Sequence, residues 1–243
     1  MADAKPFAWS YSRVQLHETC GYQYLEKIIR KNPLFEEDPG PALIHGRRVH
    51  GGMAAYLTGG EDGTYYAEQE KVTYHASMRL EAKKYGLFAT VVDQIKANMP
   101  LIEQQWGYDR NYKPASWFGT KDRPTYFRSI LDAGVLWPTN HFSNADWKTG
   151  RPKEDHIEQM ETQALAVFAR YPQVHWVETR LMYLDTGQEQ HNEFLRGDLQ
   201  LLVDKWNKRA GAVENDKSYT PRPGSACRYC PLAKSKEGPC AFG

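Results

Sequence analysis

The chain has 243 residues, with 31 lysines and arginines against 30 aspartates and glutamates, and is rich in aromatics: 7 Trp, 15 Tyr and 9 Phe. A chain of this length buries roughly 70–75% of its unfolded surface, enough for a full core, as one domain or one with an inserted subdomain. The near-cancelling charge argues against a protein that coats nucleic acid nonspecifically, and leaves room for an enzyme that gathers cations around one cleft.

Residues 1–9 read as an arm. Ser10 or Ser12 caps a predicted helix that runs to about Lys31, with Val14, Leu16, Tyr24, Leu25 and Ile28 on one side and Cys20 within it. Asn32-Pro33 and the stretch from Glu36 to Pro41 break that helix, and a second one carries His45, His50, Met53, Tyr56 and Leu57 as far as Gly59-Gly60. From Gly60 to about Met99 the sequence is polar and aromatic. Amphipathic helices are expected there over Thr64–Gln69 and His75–Lys84.

Leu101–Tyr108 is a predicted strand, followed by a polar loop and then by strands Tyr126–Trp137 and Asn144–Lys148, reversed through Pro138. Pro152 and Glu154 open a helix reaching Arg170, with Ile157, Met160, Ala164, Leu165 and Phe168 as its buried stripe. A strand over Val174–Leu184 ends in the turn Asp185-Thr186-Gly187, and Leu195 to about Ala212 forms the last amphipathic helix. From Glu214 a loop leads into three cysteines. The order implies an α/β fold, a mixed central sheet flanked by helices. No apolar run approaches the roughly 20 residues of a membrane helix, and Met1–Pro6 has no secretory core, so a soluble, intracellular protein is expected.

The chemistry concentrates at Asn144-Ala145-Asp146-Trp147-Lys148-Thr149-Gly150. In an extended strand Asp146 and Lys148 project to one face and Trp147 to the other. The hairpin to the preceding strand would bring Asp132 beside Asp146. Two carboxylates are hard ligands suited to Mg²⁺ or Mn²⁺, and a neighbouring ammonium would orient a water or neutralise charge on a phosphate. Taken alone, D-x-K also fits a solvated edge strand. Glu103 is a further candidate ligand, with a solvated strand residue as the alternative. Gln159 and Gln163 lie one helical turn apart on the next helix. The cysteines, Cys20 and Cys227-x2-Cys230-x9-Cys240, are expected to be metal ligands or buried thiols.

Together these motifs resemble the RecB-type branch of the PD-(D/E)XK nucleases, which includes the AddB-like and CRISPR-associated adaptation nucleases. Asp132 with Asp146-Trp147-Lys148 matches the central motif, His50 in Gly46-Arg47-Arg48-Val49-His50 the upstream one, and Gln159 the downstream helical Gln. Ser10-Tyr11-Ser12 with Cys20, and Cys227-Arg228-Tyr229-Cys230-Pro231, resemble the family's two ends.

The resemblance implies a single nuclease domain over residues 1–243 with a restriction-endonuclease-like core, a helical insertion at about 60–99, and a tail at 221–243 that closes on Cys20. It implies a metal held by His50, Asp132, Asp146 and the Trp147 backbone carbonyl, with Lys148 and Gln159 assisting. The family usually has Tyr where this chain has Gln163, which leaves the role of that residue open. Four thiolates suit a [4Fe–4S] cluster stapling the termini. The nine-residue gap before Cys240 is long for the family and keeps Zn²⁺ as an alternative, with His17 as a stray ligand. The implied activity is metal-dependent hydrolysis of DNA by an exonuclease acting on single-stranded or end-opened substrate. Arg47, Arg151, Lys153 and Gln163 would face the DNA backbone.

No G-x4-G-K-[ST] segment occurs, so unwinding would fall to a helicase or recombination protein as partner. The cytoplasm of a bacterial cell, with a virus as an alternative source of the gene, is the expected location. Two rival readings stand beside this one: a non-catalytic DNA-binding module, and a zinc-stabilised interaction protein.

Overall fold

The computed structural model describes residues 6–35, 40–58, 64–67, 70–73, 82–154 and 156–243. It divides into two compact units, one formed by Met1–Asp38 with Asp204–Gly243 and the other by Pro39–Val203. Among the described residues no helix is long and apolar enough to cross a membrane.

The larger unit is built on a six-stranded sheet of order β4-β3-β5-β6-β7-β8. Its strands are β3 (Leu101–Tyr108), β4 (Pro114–Ala115), β5 (Phe127–Leu136), β6 (His141–Lys148), β7 (Trp176–Tyr183) and β8 (Gln188–Leu195). Neighbouring strands are antiparallel except β6 and β7, which are parallel. A parallel pair needs a crossover, and the helix His156–Arg170 supplies it. The mixed sheet flanked by helices is the α/β class expected from the order of elements. The β5–β6 reversal is tighter than the sequence suggested: Asn140 adopts φ 58°, its N–H bonds the Trp137 carbonyl, and β6 begins at His141.

One face of the sheet packs on the helix Pro41–Leu57 and the helix Ala82–Ala97. Val49, Met53 and Leu57 from the first, Val92 and Ile95 from the second, and Ala133, Val135, Ala145 and Trp147 from the strands form that core. The His156–Arg170 helix covers strand residues of the other face, burying Met160, Ala164, Leu165, Val167 and Phe168. Ile157, expected in this stripe, is instead 43% exposed, because it lies in the first turn, before the buried run begins at Met160.

Two further expectations need correction. Thr64–Gln69 is not helical: Thr64–Ala67 (β1) pairs antiparallel with Glu70–Thr73 (β2). Thr, Tyr and Val favour extended backbone, and the two segments satisfy each other's hydrogen bonds. Of the expected helix at His75–Lys84, residues 75–81 lie outside the described residues, and Ala82–Lys84 belong to the helix Ala82–Ala97. The short β4 falls in the expected loop, and β8 runs between the turn Asp185-Thr186-Gly187 and the last helix, taking Leu195 as its final residue, so that helix begins at Leu199 and not at Leu195; β8 is an edge strand with only Phe194 buried, so it carries little apolar alternation.

In the smaller unit the predicted helix over residues 10–31 is interrupted. Tyr11–Thr19 forms one helix, Cys20 is extended (φ −162°, ψ 113°), and Gly21–Tyr24 restarts the helix and runs into a π-helical turn at Leu25–Ile29. The break has a partner: the Arg222 guanidinium donates to the carbonyls of His17 and Glu18 and satisfies a helix end that would otherwise continue. The helix Leu199–Asn215 reaches into this unit with Trp206, Ala210 and Val213 buried. Trp206 stacks on Trp9 at 5.6 Å, and Arg209 grips Glu18 through two bonds of 2.8 and 2.6 Å.

Asp216 ties the same ends together. Its carboxylate accepts from the Ser218 and Tyr219 amides and faces His17 Nε2 at 2.8 Å. The Tyr219 amide and then His17 hold its carboxyl well below the usual range, against the effect of burial. A depressed carboxyl pKa contributes stability that is present above about pH 4, the unfolded value, and is lost as pH falls towards the folded value. Asp216→Asn is therefore expected to cost about 2 kcal/mol at neutral pH, measured by thermal or urea unfolding, and the gap to wild type should close below about pH 4.

Candidate metal and catalytic site

The β5–β6 register, Ala133 opposite Ala145, sets Asp132 and Asp146 next to each other where the ladder between these strands ends. There Asp132 replaces the ladder: its Oδ2 accepts the Trp147 N–H at 2.9 Å and lies 3.2 Å from His50 Nδ1. His50 comes from the Pro41–Leu57 helix, whose Val49 and Met53 anchor it in the core. Trp147 meets Asp132 through its backbone, while its indole is fully buried on the face that packs on that helix.

Glu103 joins them from β3. It is an exposed strand residue held at φ 48°, a left-handed conformation rare for a non-glycine residue within a strand and found where surrounding structure enforces it. One ligand atom each from His50, Glu103 and Asp132 lie within 4.8 Å of one another. The sequence offered Glu103 only as a further candidate, because nothing local signals the backbone twist that aims it.

Asp146 has a different environment. It is 2% exposed, its Oδ1 pairs with Lys148 Nζ, and its Oδ2 accepts from Gln159 Nε2 and, at 2.7 Å, from Gln163 Nε2. Gln163 also accepts from Asn144 Nδ2 at 2.9 Å and is 1% exposed. Both ends of its amide are engaged in the interior, on Asn144 and Asp146. Arg47, Arg151 and Lys153 are all exposed, the first on the His50 helix and the other two just after β6.

The electrostatics reflect crowded negative charge. Burial raises the pKa of Asp132, and the Asp146 carboxylate adds to it, with His50 opposing. Glu103 is exposed at its outer side, yet the desolvation of its inner side raises its pKa too, reinforced by Asp132 and opposed by His50. Burial works against protonated His50, yet the hydrogen bond and charge of Asp132, then Asp146 and Glu103, hold its pKa above the ordinary imidazole value. Two acids, Asp132 and Glu103, converge on one imidazole beside the Asp146–Lys148 pair, and hard oxygens with one nitrogen suit Mg²⁺ or Mn²⁺. The residues present therefore fit a divalent cation.

The four cysteines all belong to the smaller unit, none is in a disulfide, and all four line one cavity. The long gap before Cys240 is taken up by a reversal. Gly238 lies so close to the Leu232 backbone that a Cβ would clash, and the Cys240 N–H donates to the Leu232 carbonyl at 2.8 Å. Burial pushes the Cys230 thiol pKa up, and Cys20, Cys227 and Cys240 act in the same direction. His17 is bound to Asp216.

Comparison with known proteins gives one family. A search of curated proteins finds no match. Among solved structures, the crystal structure of SSO0001 is similar with a TM-score of 0.49 and 12% identity, over 93% of this chain and 84% of that one. The family model described as the PD-(D/E)XK nuclease superfamily matches residues 8–235. That span includes His50, Glu103, Asp132, Asp146, Lys148 and Gln159, and on it the chain belongs to the PD-(D/E)XK nuclease superfamily.

Proposed function

We propose that the chain is a divalent-metal-dependent deoxyribonuclease of the RecB-like kind, cleaving phosphodiester bonds as an exonuclease on single-stranded or end-opened DNA. The observation that carries the proposal is the convergence of His50, Glu103 and Asp132 within 4.8 Å, beside the buried Asp146–Lys148 pair. These three residues, with Asp146 and the Trp147 carbonyl completing the set, are the ligands of Mg²⁺ or Mn²⁺. A divalent cation in such a site supplies Lewis-acid stabilisation of phosphate charge and a water acidic enough to attack near neutral pH.

The chain's own groups do the rest. Gln159 and Gln163 fix the Asp146 carboxylate from one side, and Lys148 fixes it from the other. The Lys148 ammonium, 19% exposed, orients the attacking water and neutralises charge developing on the phosphate. Arg47, Arg151 and Lys153 hold the DNA backbone. The preference for ends and the need for a helicase or recombination protein rest on the RecB-type motif pattern.

The test is digestion of linear and circular DNA, single- and double-stranded and end-labelled, with each divalent metal. Release of mononucleotides or short products from linear but not circular DNA is expected. Cleavage of circles would replace the exonuclease reading by an endonuclease one, and no hydrolysis with any metal would remove the activity.

Four thiols lining one cavity suit a [4Fe–4S] cluster, and the RecB-type cysteine pattern favours it over the alternative, Zn²⁺. The purified protein is then expected to be brown, with iron and sulfide near four each per chain. Cys20→Ala should lose the colour and unfold more readily; a colourless wild-type protein carrying one zinc would contradict the cluster.

A further inference from the structure

We propose that Phe118, with Trp117 and Arg128, forms a stacking platform for an unpaired base of the DNA strand that enters the metal site. The inference rests on the deoxyribonuclease reading and specifies its substrate as single-stranded over this stretch. Phe118 is 83% exposed, an unusual position for a large aromatic side chain. The Arg128 guanidinium carbon lies 5.4 Å from the centre of the Trp117 ring and 5.9 Å from that of Phe118. Aromatic faces joined to a guanidinium are what a base and its phosphate recognise together.

The turn that presents Phe118 is fixed before any ligand arrives. The Ser116 carbonyl accepts from the Gly119 N–H at 3.1 Å and from the Thr125 hydroxyl at 2.6 Å. Gly119 has φ 71°, which closes the turn and strains any other residue. At the base of the loop the Asp109 carboxylate accepts from the Asn111 and Lys113 amides and from Arg123 Nε. Phe118 is thus held out by a rigid loop, so stacking on it costs little ordering.

The platform is continuous with the metal site. On β5 the exposed Ile130 and the half-buried Arg128 alternate with buried Phe127, Ser129 and Leu131, so the two share a face. On β3 Gln105, opposite Ile130, is exposed, and so is Glu103 two residues further on. An open stripe therefore leads from Arg128 past Ile130 and Gln105 to Glu103. Arg128 stands four residues from Asp132, about 13 Å along the strand, a reach of a few nucleotides. The loop suits a polyanion: Arg110, Lys113, Lys121 and Arg123 face two acids, Asp109 and Asp122, within 109–125.

The test is equilibrium binding of fluorescein-labelled oligodeoxythymidylate by the full-length chain, read by anisotropy with divalent metal chelated, so that hydrolysis plays no part. Phe118→Ala is expected to raise Kd about tenfold, and Phe118→Tyr to stay within about twofold of wild type, since one stacked base is lost in the first and kept in the second. An abasic oligomer of equal length and a blunt duplex should bind wild type and Phe118→Ala alike. Unchanged oligothymidylate binding by Phe118→Ala, or an equal loss on the abasic oligomer or the duplex, would overturn the platform. Absence of hydrolysis in every metal would instead strike the nuclease reading, which this binding measurement does not use. Phe118 is too exposed for its loss to unfold the chain, and circular dichroism checks this.

Discussion

Asp132→Asn is expected to fold, to lose divalent-metal binding, and to hydrolyse DNA at least about 10²–10³ times more slowly than wild type, as loss of several kcal/mol of charge stabilisation requires. The reasoning starts from shape. Asn matches Asp in size and can still accept the Trp147 N–H, so the junction of β5 and β6 survives. What disappears is the charge that His50 and Glu103 share, and with it the only hard anionic ligand of the triple that is buried.

A second consequence separates this variant from a merely misfolded one. Burial and the Asp146 charge raise the folded pKa of Asp132, so its ionised form destabilises the metal-free fold. That cost is absent below about pH 4, the unfolded value, and grows as pH rises through the folded value. Metal-free Asp132→Asn should therefore melt higher than wild type at neutral pH and level with it in acid. A variant that melts lower at neutral pH would show that the carboxylate serves the fold and not a cation.

Lys148→Met is expected to have the opposite effect on stability. Asp146 is 3% exposed at its side chain and Lys148 is the cation on its Oδ1. Removing one member of a buried pair leaves the other uncompensated, a loss of about 3–5 kcal/mol. Gln159 and Gln163 still donate to Oδ2, which places the expected loss at the lower end of that range. Hydrolysis should fall by about 10²–10³, the effect of removing a preorganised group aimed at developing charge. Lys148→Arg should not rescue it, because a planar guanidinium cannot replace a compact ammonium between a carboxylate and a phosphate. Wild-type rates in Lys148→Met would remove the amine from the chemistry.

The parts of this site that were legible in the sequence are those set by short-range periodicity. Alternation placed Asp146 and Lys148 on one face and Trp147 on the other, and helical spacing put Gln159 and Gln163 together. The hairpin then brought Asp132 to Asp146. Glu103 was not legible in this way, since its role depends on a left-handed backbone at one strand position. Gln163 was open because its partners, Asn144 and Asp146, lie on a different element.

In the fold, the missed features share a cause. The helix break at Cys20 answers to Arg222, some 200 residues away. Strand β8 hides in a polar edge sequence, Gln188–Leu195, and Thr64–Ala67 pairs with Glu70–Thr73. The helix break thus depends on a distant partner, and the strands on pairing with a neighbouring segment, neither of which local apolar periodicity reports.

The central claim, one divalent cation held by His50, Glu103 and Asp132, is tested most directly by titrating the metal-free chain with Mn²⁺ and counting bound ions by electron paramagnetic resonance. Wild type should bind Mn²⁺ at this site with an affinity that Asp132→Asn and Glu103→Gln each abolish or weaken at least about tenfold. Equal binding by wild type and both variants would contradict it.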